Sequence, residues 1–502
     1  MKPFSRFVFV CAVVGLAGSE TEVRATDRVY WANAGGAVSK ISFANLDGSG
    51  GGDLDTTGAS AACCAQGAAI DAAAGRIYWG NDGAQKISFA NLDGSGGGDL
   101  ATTGATVDSP YGVAIDTTTG RVFWASYGAN KISFARVDGT GGADLATTGT
   151  TPDGPQGIAV DPTTQKVYWA NNAGNSIAFA NLTGGGGGTV NTTGATVNGP
   201  KGVAVAAAAG RVYWSNSDGN SIGFARLDGS GGGNLNTSGA TVLFPYGVAI
   251  DEEAGRIYWP SYDGNKISFA LLDGTGGADL PTIGAAVSAP NAVGLLRVPA
   301  GTALPAITGG AAPGSALQCS QGTWATDVVG AFLFRTPRRF SYRWTLDGTD
   351  LPGATGASIT ASASGQYRCQ VTAENQAGSA SQTSAPLPSP AITAFDFTPD
   401  VIRVAKGPTP AAVAKGGSFV FTLSAPAAAE IVIERKRTRT RFQRRGTLSR
   451  DGNAGDNMVS FTGRIGQKAL PPGRYRATIT ATNAAGPSAP QVTTFKVVGP
   501  SR

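Results

Sequence analysis

The sequence predicts an all-β fold: a six-bladed β-propeller followed by two β-sandwich domains. Three observations carry this expectation. Trp31, Trp79, Trp124, Trp169, Trp214 and Trp259 recur at intervals of 48, 45, 45, 45 and 45 residues, each within a short apolar strand. Gly fills 74 of 502 positions, about twice the usual share and without a collagen period. Beyond residue 298 the repeat stops, and Cys319, Trp344 and Cys369 follow at equal spacing. Short apolar strands between Gly-rich turns, at a period near 45, are the pattern of four-stranded propeller blades.

Residues 1–25 read as a secretory signal peptide. Lys2 and Arg6 precede an apolar core from Phe7 to Ala17, with small residues for cleavage near 19 or 25. That core is too short to span a bilayer, and no apolar run reaches 18 residues, so a secreted or envelope-associated protein without a membrane span is expected. Cys11 stands in no lipobox and would leave with the leader.

Residues 27–298 hold the propeller. Each copy opens on a Pro-x-Gly-[Val/Ile]-Ala strand, continues through Tyr/Phe-Trp and Ile-x-Phe-Ala strands, and turns at Asp-Gly-[Ser/Thr]-Gly-Gly. The first Tyr-Trp strand, at Tyr30, has no opening strand before it. The last opening strand, Pro290 to Val298, has no Tyr-Trp strand after it. The two orphans complete one blade, which closes a six-membered ring and removes exposed strand edges.

The motifs Tyr-Trp-Ala-Asn, Phe-Trp-Ala-Ser and Tyr-Trp-Ser-Asn, together with Leu-Asp-Gly and Gly-Val-Ala-Ile-Asp, resemble the YWTD (low-density lipoprotein receptor class B) repeat over more than half of the chain. The fourth motif position is never Asp here. The resemblance implies a non-catalytic, protein-binding module, although the fold also hosts enzymes.

Four cysteines remain after the leader. Cys319 and Cys369, with Trp344 between them, form the expected disulfide, worth about 3–4 kcal/mol on the loop-entropy model. Cys63 and Cys64 are adjacent and are either a strained vicinal bond or two thiols. Tyr367, two residues before Cys369, occupies a tyrosine-corner position, and residues 299–387 resemble bacterial immunoglobulin-like domains. A Pro-rich linker at 385–390 leads to a second sandwich over 391–498, similar to fibronectin-III-like or immunoglobulin-like modules.

Composition narrows the chemistry. The chain has no His, which excludes His-based triads and zinc or haem sites that use imidazole. The segment Asp93-Gly94-Ser95-Gly96-Gly97-Gly98-Asp99 recurs every 45 residues rather than every nine, and no P-loop Lys follows. It therefore reads as a hairpin turn, and no cofactor is expected beyond an unassigned calcium. Asp71, Asp116, Asp161 and Asp251 end inner strands and read as structural.

Variation within the repeat is more informative. The residue at the inner-strand entry is Gln66, Tyr111, Gln156, Lys201, Tyr246 and Asn291 in turn. The loop after the second strand adds Tyr127 and Tyr262 to the same face. Tyr111 and Tyr127 recur 135 residues later as Tyr246 and Tyr262, which places the two pairs half a turn apart. Aromatics on a rigid platform suit an extracellular peptide or glycan.

A second candidate is basic. Residues Arg435 to Arg445 carry seven cations, +6 against Glu434, in a chain whose net charge is +5, so the remainder is −1 and the basicity is local. On a strand, Arg435, Arg437, Arg439 and Arg441 share one face and suit an anionic cell-envelope polymer. The expected molecule is a monomeric, secreted bacterial binding or scaffold protein, not an enzyme, with no nucleic-acid partner. The alternatives are a His-independent propeller enzyme of calcium-lactonase or lyase type, using rim acids such as Asp218 and Asp263, and a purely structural stalk.

Overall fold

The computed structural model describes residues 27–499, except 36–39, 61–63, 310–313, 364, 388–389, 405–415 and 484. The expected leader lies outside the described residues. So does Cys63, and with it the question of a Cys63–Cys64 bond.

Six four-stranded antiparallel arrays surround one axis. Their inner strands are Ala65–Asp71, Pro110–Asp116, Pro155–Asp161, Pro200–Ala206, Ala249–Asp251 and Pro290–Leu296, each beside the next around the ring. The last of these pairs with Arg28–Asn33, Trp31 lying opposite Val293, so the two ends of the repeat share one blade. Blades are numbered here from this closing blade, so Tyr111 belongs to blade 3 and Tyr246 to blade 6.

Glycine at the strand entry explains how six strands fit so tightly. A Cβ on Gly157 would lie 2.2 Å from the Lys201 carbonyl oxygen, and one on Gly112 would lie 2.4 Å from that of Gln156. Neither contact is sterically possible. The Tyr/Phe-Trp strands are buried on both faces because blades stack against one another. Their Tyr or Phe packs on the Phe of the neighbouring strand, as Tyr168 does on Phe179 at 5.9 Å, and a cation caps that ring, as Lys166 does at 4.4 Å.

In four of the six blades an Asp on the outermost strand ties the blade to the connection before it. Ser133 and Lys131 on the third strand donate to Asp144 on the outermost strand, and Thr106 of the preceding connection donates to it through both N–H and hydroxyl. Trp124 donates its indole N–H to the Thr106 carbonyl at 2.8 Å. Asp53, Asp99 and Asp279 repeat the arrangement with Ser42, Ser88 and Ser268.

After the propeller, two small sheets pack around Trp344, Tyr367 and the Cys319–Cys369 disulfide. The Tyr367 hydroxyl donates to the Ala363 carbonyl at 2.9 Å, the tyrosine-corner geometry. Packing does not end at residue 298. The turn Val329–Ala331, Phe332 and the strand Leu333–Phe334 belong to the propeller core, and Leu333–Phe334 runs parallel to Leu295–Leu296 in the closing blade. The last module is a three-stranded sheet facing a larger one across a core of Phe397, Phe419, Phe461, Tyr475 and Phe495. Among the described residues no helix is long and apolar enough to cross a membrane.

Candidate functional site

The six entry residues converge. Gln66, Tyr111, Gln156, Lys201, Tyr246 and Asn291 all line one cavity on the propeller axis. Its walls are the backbone and apolar side chains of the inner strands, including Val113, Ile158, Val203 and Val248. Its floor is Phe332, contributed by the following module. The channel is therefore a blind pocket with one mouth. It is narrow, about 50 Å3, room for one or two water molecules at about 30 Å3 each.

The ring is less open than its residue types suggest. Gln66, Gln156 and Asn291 are buried. Asn291 donates to the Gln66 side-chain oxygen at 2.8 Å and to the Ala65 carbonyl at 2.6 Å, while its own side-chain oxygen is buried without a hydrogen-bond partner. A buried acceptor left unmade is costly, and one that faces a ligand cavity is a place for a donor.

Lys201 is the only ring member with a charge. Its ammonium sits 4.4 Å from the centre of the Tyr246 ring and 5.4 Å from that of Phe244, and it donates to Gln156 at 3.1 Å. Burial pushes its pKa down to about 8, against the opposing field of Asp218.

The tyrosines form the two expected pairs. Tyr111 and Tyr127 lie 5.2 Å apart, and Tyr246 and Tyr262 stack at 4.9 Å, in blades half a turn apart. Burial raises the pKa of Tyr111 and, more strongly, of Tyr246, with neighbouring phenols and rim carboxylates adding to both. Tyr127 is 37% exposed, so the outer member of its pair meets solvent. Asp218 and Asp263 are exposed on the rim.

Two contributions escaped the sequence reading. Phe244 extends the aromatic cluster, 5.8 Å from Tyr246 and 6.2 Å from Tyr262. The other is a set of latches. Gln85, Asn130, Asn175, Asn220 and Asn265 sit in left-handed turns between the second and third strands. Each gives its side-chain oxygen to the N–H of the residue that starts the next blade's entry: Ser109, Gly154, Gly199, Phe244 and Ala289. Those acceptors' partners are themselves at positive φ, which costs about 1–3 kcal/mol for a non-Gly residue such as Phe244 unless neighbours impose it. The recurrence of Asn or Gln before the Ile-x-Phe-Ala strand was the available signal.

The basic stripe needs correction. The strand Ala427–Lys436 ends before most of it, and the returning strand starts at Phe442, so Arg437, Arg439 and Arg441 lie in the hairpin turn and only Arg435 is on a strand. The Arg437 N–H donates to the Arg441 carbonyl and the Arg441 N–H to the Thr438 hydroxyl, which closes the turn. The alternating Arg-Thr pattern resembles a strand, but its side chains have no facing core to bury.

No residue cluster with metal-ligating composition occurs among the described residues. No family model matches the chain, and no curated protein matches it. Solved structures similar in part include a chain of a nidogen/laminin complex, with 17% identity, a TM-score of 0.44, and coverage of 54% of this chain and 97% of that one. A Lactobacillus plantarum protein has 13% identity and a TM-score of 0.39, covering 54% of this chain and 99% of its own. A putative 6-phosphogluconolactonase from Bacteroides fragilis has 11% identity and a TM-score of 0.40, with 56% and 100% covered.

Proposed function

We propose that this is a secreted, monomeric, non-catalytic binding protein whose channel mouth takes the end of an extracellular peptide or glycan. The observation that carries the reading is the blind pocket. All six entry residues line it, and its floor is closed by Phe332. A ligand therefore enters end-on and cannot thread through. The tyrosine pairs supply flat apolar faces with hydroxyls at their edges, and Lys201 and Asn291 supply a donor and an unmet acceptor below them. In this reading residues 299–387 anchor the propeller floor, and residues 391–498 reach toward the envelope.

The test is a binding screen of the full mature chain on peptide and glycan arrays, with and without calcium. Tyr127→Ala/Tyr262→Ala and Lys201→Met are run beside the wild type. Ligands bound by the wild type and weakened tenfold or more by these changes, at unchanged unfolding temperature, support the reading. Turnover of an array member, or binding indifferent to both variants, would sink it.

A further inference from the structure

We propose that the outward face of the last module, at the hairpin end of its larger sheet, is a separate site for an acidic polysaccharide. Strand register, and not the arginine-rich segment alone, assembles this face. The strands Gln491–Val498, Gly473–Asn483 and Ala427–Lys436 lie side by side in one sheet. Lys496 is opposite Arg474, and Arg476 is opposite Glu434. Along Gly473–Asn483, Tyr475, Ala477 and Ile479 turn into the core, so Arg474 and Arg476 turn out. Lys436, two residues after Glu434, shares the outward face, and Phe442 on the next strand is opposite it.

A row of cations thus crosses three strands, with roughly 4.8 Å from each strand to the next. Arg437, Arg439 and Arg441 stand in the hairpin turn between Lys436 and Phe442. A groove of about 430 Å3 runs through it, lined by Lys436, Phe442, Arg474, Thr494 and Lys496 among others. Arg476 is neutralised, since it donates to Glu434 while covering the Phe442 ring at 4.0 Å. Lys436, Arg474, Lys496 and the three tip arginines form no ion pair among the described residues. One carboxylate, Asp400, lines the groove at its edge.

Three cations share the groove with a single carboxylate, and three more stand in the adjoining hairpin turn; the excess positive charge repels itself, and a chain of anionic groups relieves that repulsion. The choice among polyanions follows from what the face lacks. Single-stranded nucleic acid uses aromatic platforms for successive bases. Here the Phe442 ring carries the Arg476 guanidinium, while Tyr475 and Phe495 are buried. Hydroxyl-bearing sugar rings with regularly placed carboxylates or sulfates need only cations and hydrogen-bond donors. The sequence hides this site, because Arg474 and Lys496 lie roughly 30–60 residues from the arginine cluster they join.

The experiment measures binding of the full mature chain to polygalacturonate, dextran sulfate, neutral dextran and a mixed-sequence single-stranded oligonucleotide at 50 and 200 mM salt. The variants are Arg474→Gln/Lys496→Gln and, to keep the groove but clear the tip, Arg437→Gln/Arg439→Gln/Arg441→Gln. All substituted side chains are surface groups, and thermal unfolding confirms that the variants fold. Expected are binding to the acidic polysaccharides over dextran, weakening with salt, and a tenfold or greater loss in the groove variant. Equal binding by the groove variant, no preference over dextran, or tighter binding to the oligonucleotide would each overturn the proposal. Polygalacturonate against dextran sulfate distinguishes a carboxylate from a sulfate source.

Discussion

The two ends of the propeller channel use the same six strands in opposite ways. At the exit the repeat keeps one device. Asp71, Asp116, Asp161 and Asp251 each accept a backbone N–H of the following turn, at 2.9 to 3.0 Å. At the entry it keeps the glycine in five blades, with Ala292 in the sixth, while the residue before it takes four identities across the ring. The exit is then covered by Val329–Phe334, and Arg335 pins that segment through Glu253 and the Thr326 carbonyl, while Asp327 takes the N–H groups of Arg335 and Thr336. The exit keeps an acid in four blades, has Ala206 and Leu296 in the other two, and is filled; the entry presents four different side-chain types and is open. Folding asks the same of each blade, so the spread of chemistry at the entry, all of it turned into one pocket, marks where a demand other than folding acts.

The largest expected effect comes from breaking the closed end. Phe332 is buried, and Phe→Ala in a core typically costs about 3–5 kcal/mol. Phe332→Ala should lower stability of the full chain by about 3 kcal/mol in denaturant unfolding and turn the pocket into a pore. A loss below about 1 kcal/mol would mean that the plug is accessory and that the propeller core is complete without it. The same packing implies that an isolated propeller over 27–298 is a poor reagent, because it lacks its own floor.

That floor marks where the sequence stops being readable. The blades, their closure and the convergence of Tyr111 with Tyr246 follow from periodicity, since identical local patterns must build identical strands. The plug has no period. Val328-Val329-Gly330-Ala331-Phe332-Leu333-Phe334 sits in a module whose other strands alternate, and its lack of alternation was the one hint that both sides are buried. The depth of Gln66, Gln156 and Asn291 was equally hidden. Polar residues at a mouth are expected in water, and the close approach of neighbouring inner strands, as at Gly112 and Gly157, leaves no mark in a linear pattern. The basic face failed for a third reason: its cations are assembled by strand pairing, which a linear charge count cannot see.

An intermediate effect tests what holds blades to their connections, away from both ends. Partial burial pushes the Asp144 carboxyl up, but the bonds from Lys131, Thr106 and Ser133 outweigh it and hold the pKa at about 2. The folded value lies below the unfolded one, so this stabilisation is fully present above about pH 4 and is lost as pH falls through about 2. Asp144→Asn should therefore cost about 1–2 kcal/mol at pH 6, with the gap to wild type narrowing toward pH 2. Asp138→Asn, at an exposed turn, should leave the unfolding midpoint unchanged at pH 6. A gap for Asp144→Asn that persists unchanged to pH 2 would show that geometry, not charge, ties the outermost strand.

The smallest effect sharpens the open end. Lys201 has a folded pKa of about 8, below its ordinary value of 10.5, because burial penalises the ammonium. Below pH 8 both folded and unfolded chains carry the proton, and the folded state bears the cost of the buried charge. Between about 8 and 10.5 the unfolded chain still binds a proton that the folded one has released, so stability attributable to this group rises with pH. Tyr246 acts in the other direction only above its ordinary value of 10, since its folded pKa is raised. The clean window is therefore pH 7.5 to 9.5. Lys201→Met removes the titration, and the unfolding midpoint of wild type should gain on that of the variant across this window by about a degree, given that the side chain is partly solvated. A difference that stays constant with pH would mean that water reaches the ammonium freely. The mouth would then be an open rim rather than a desolvated pocket, and end-on recognition by Lys201 and Asn291 would lose its physical basis.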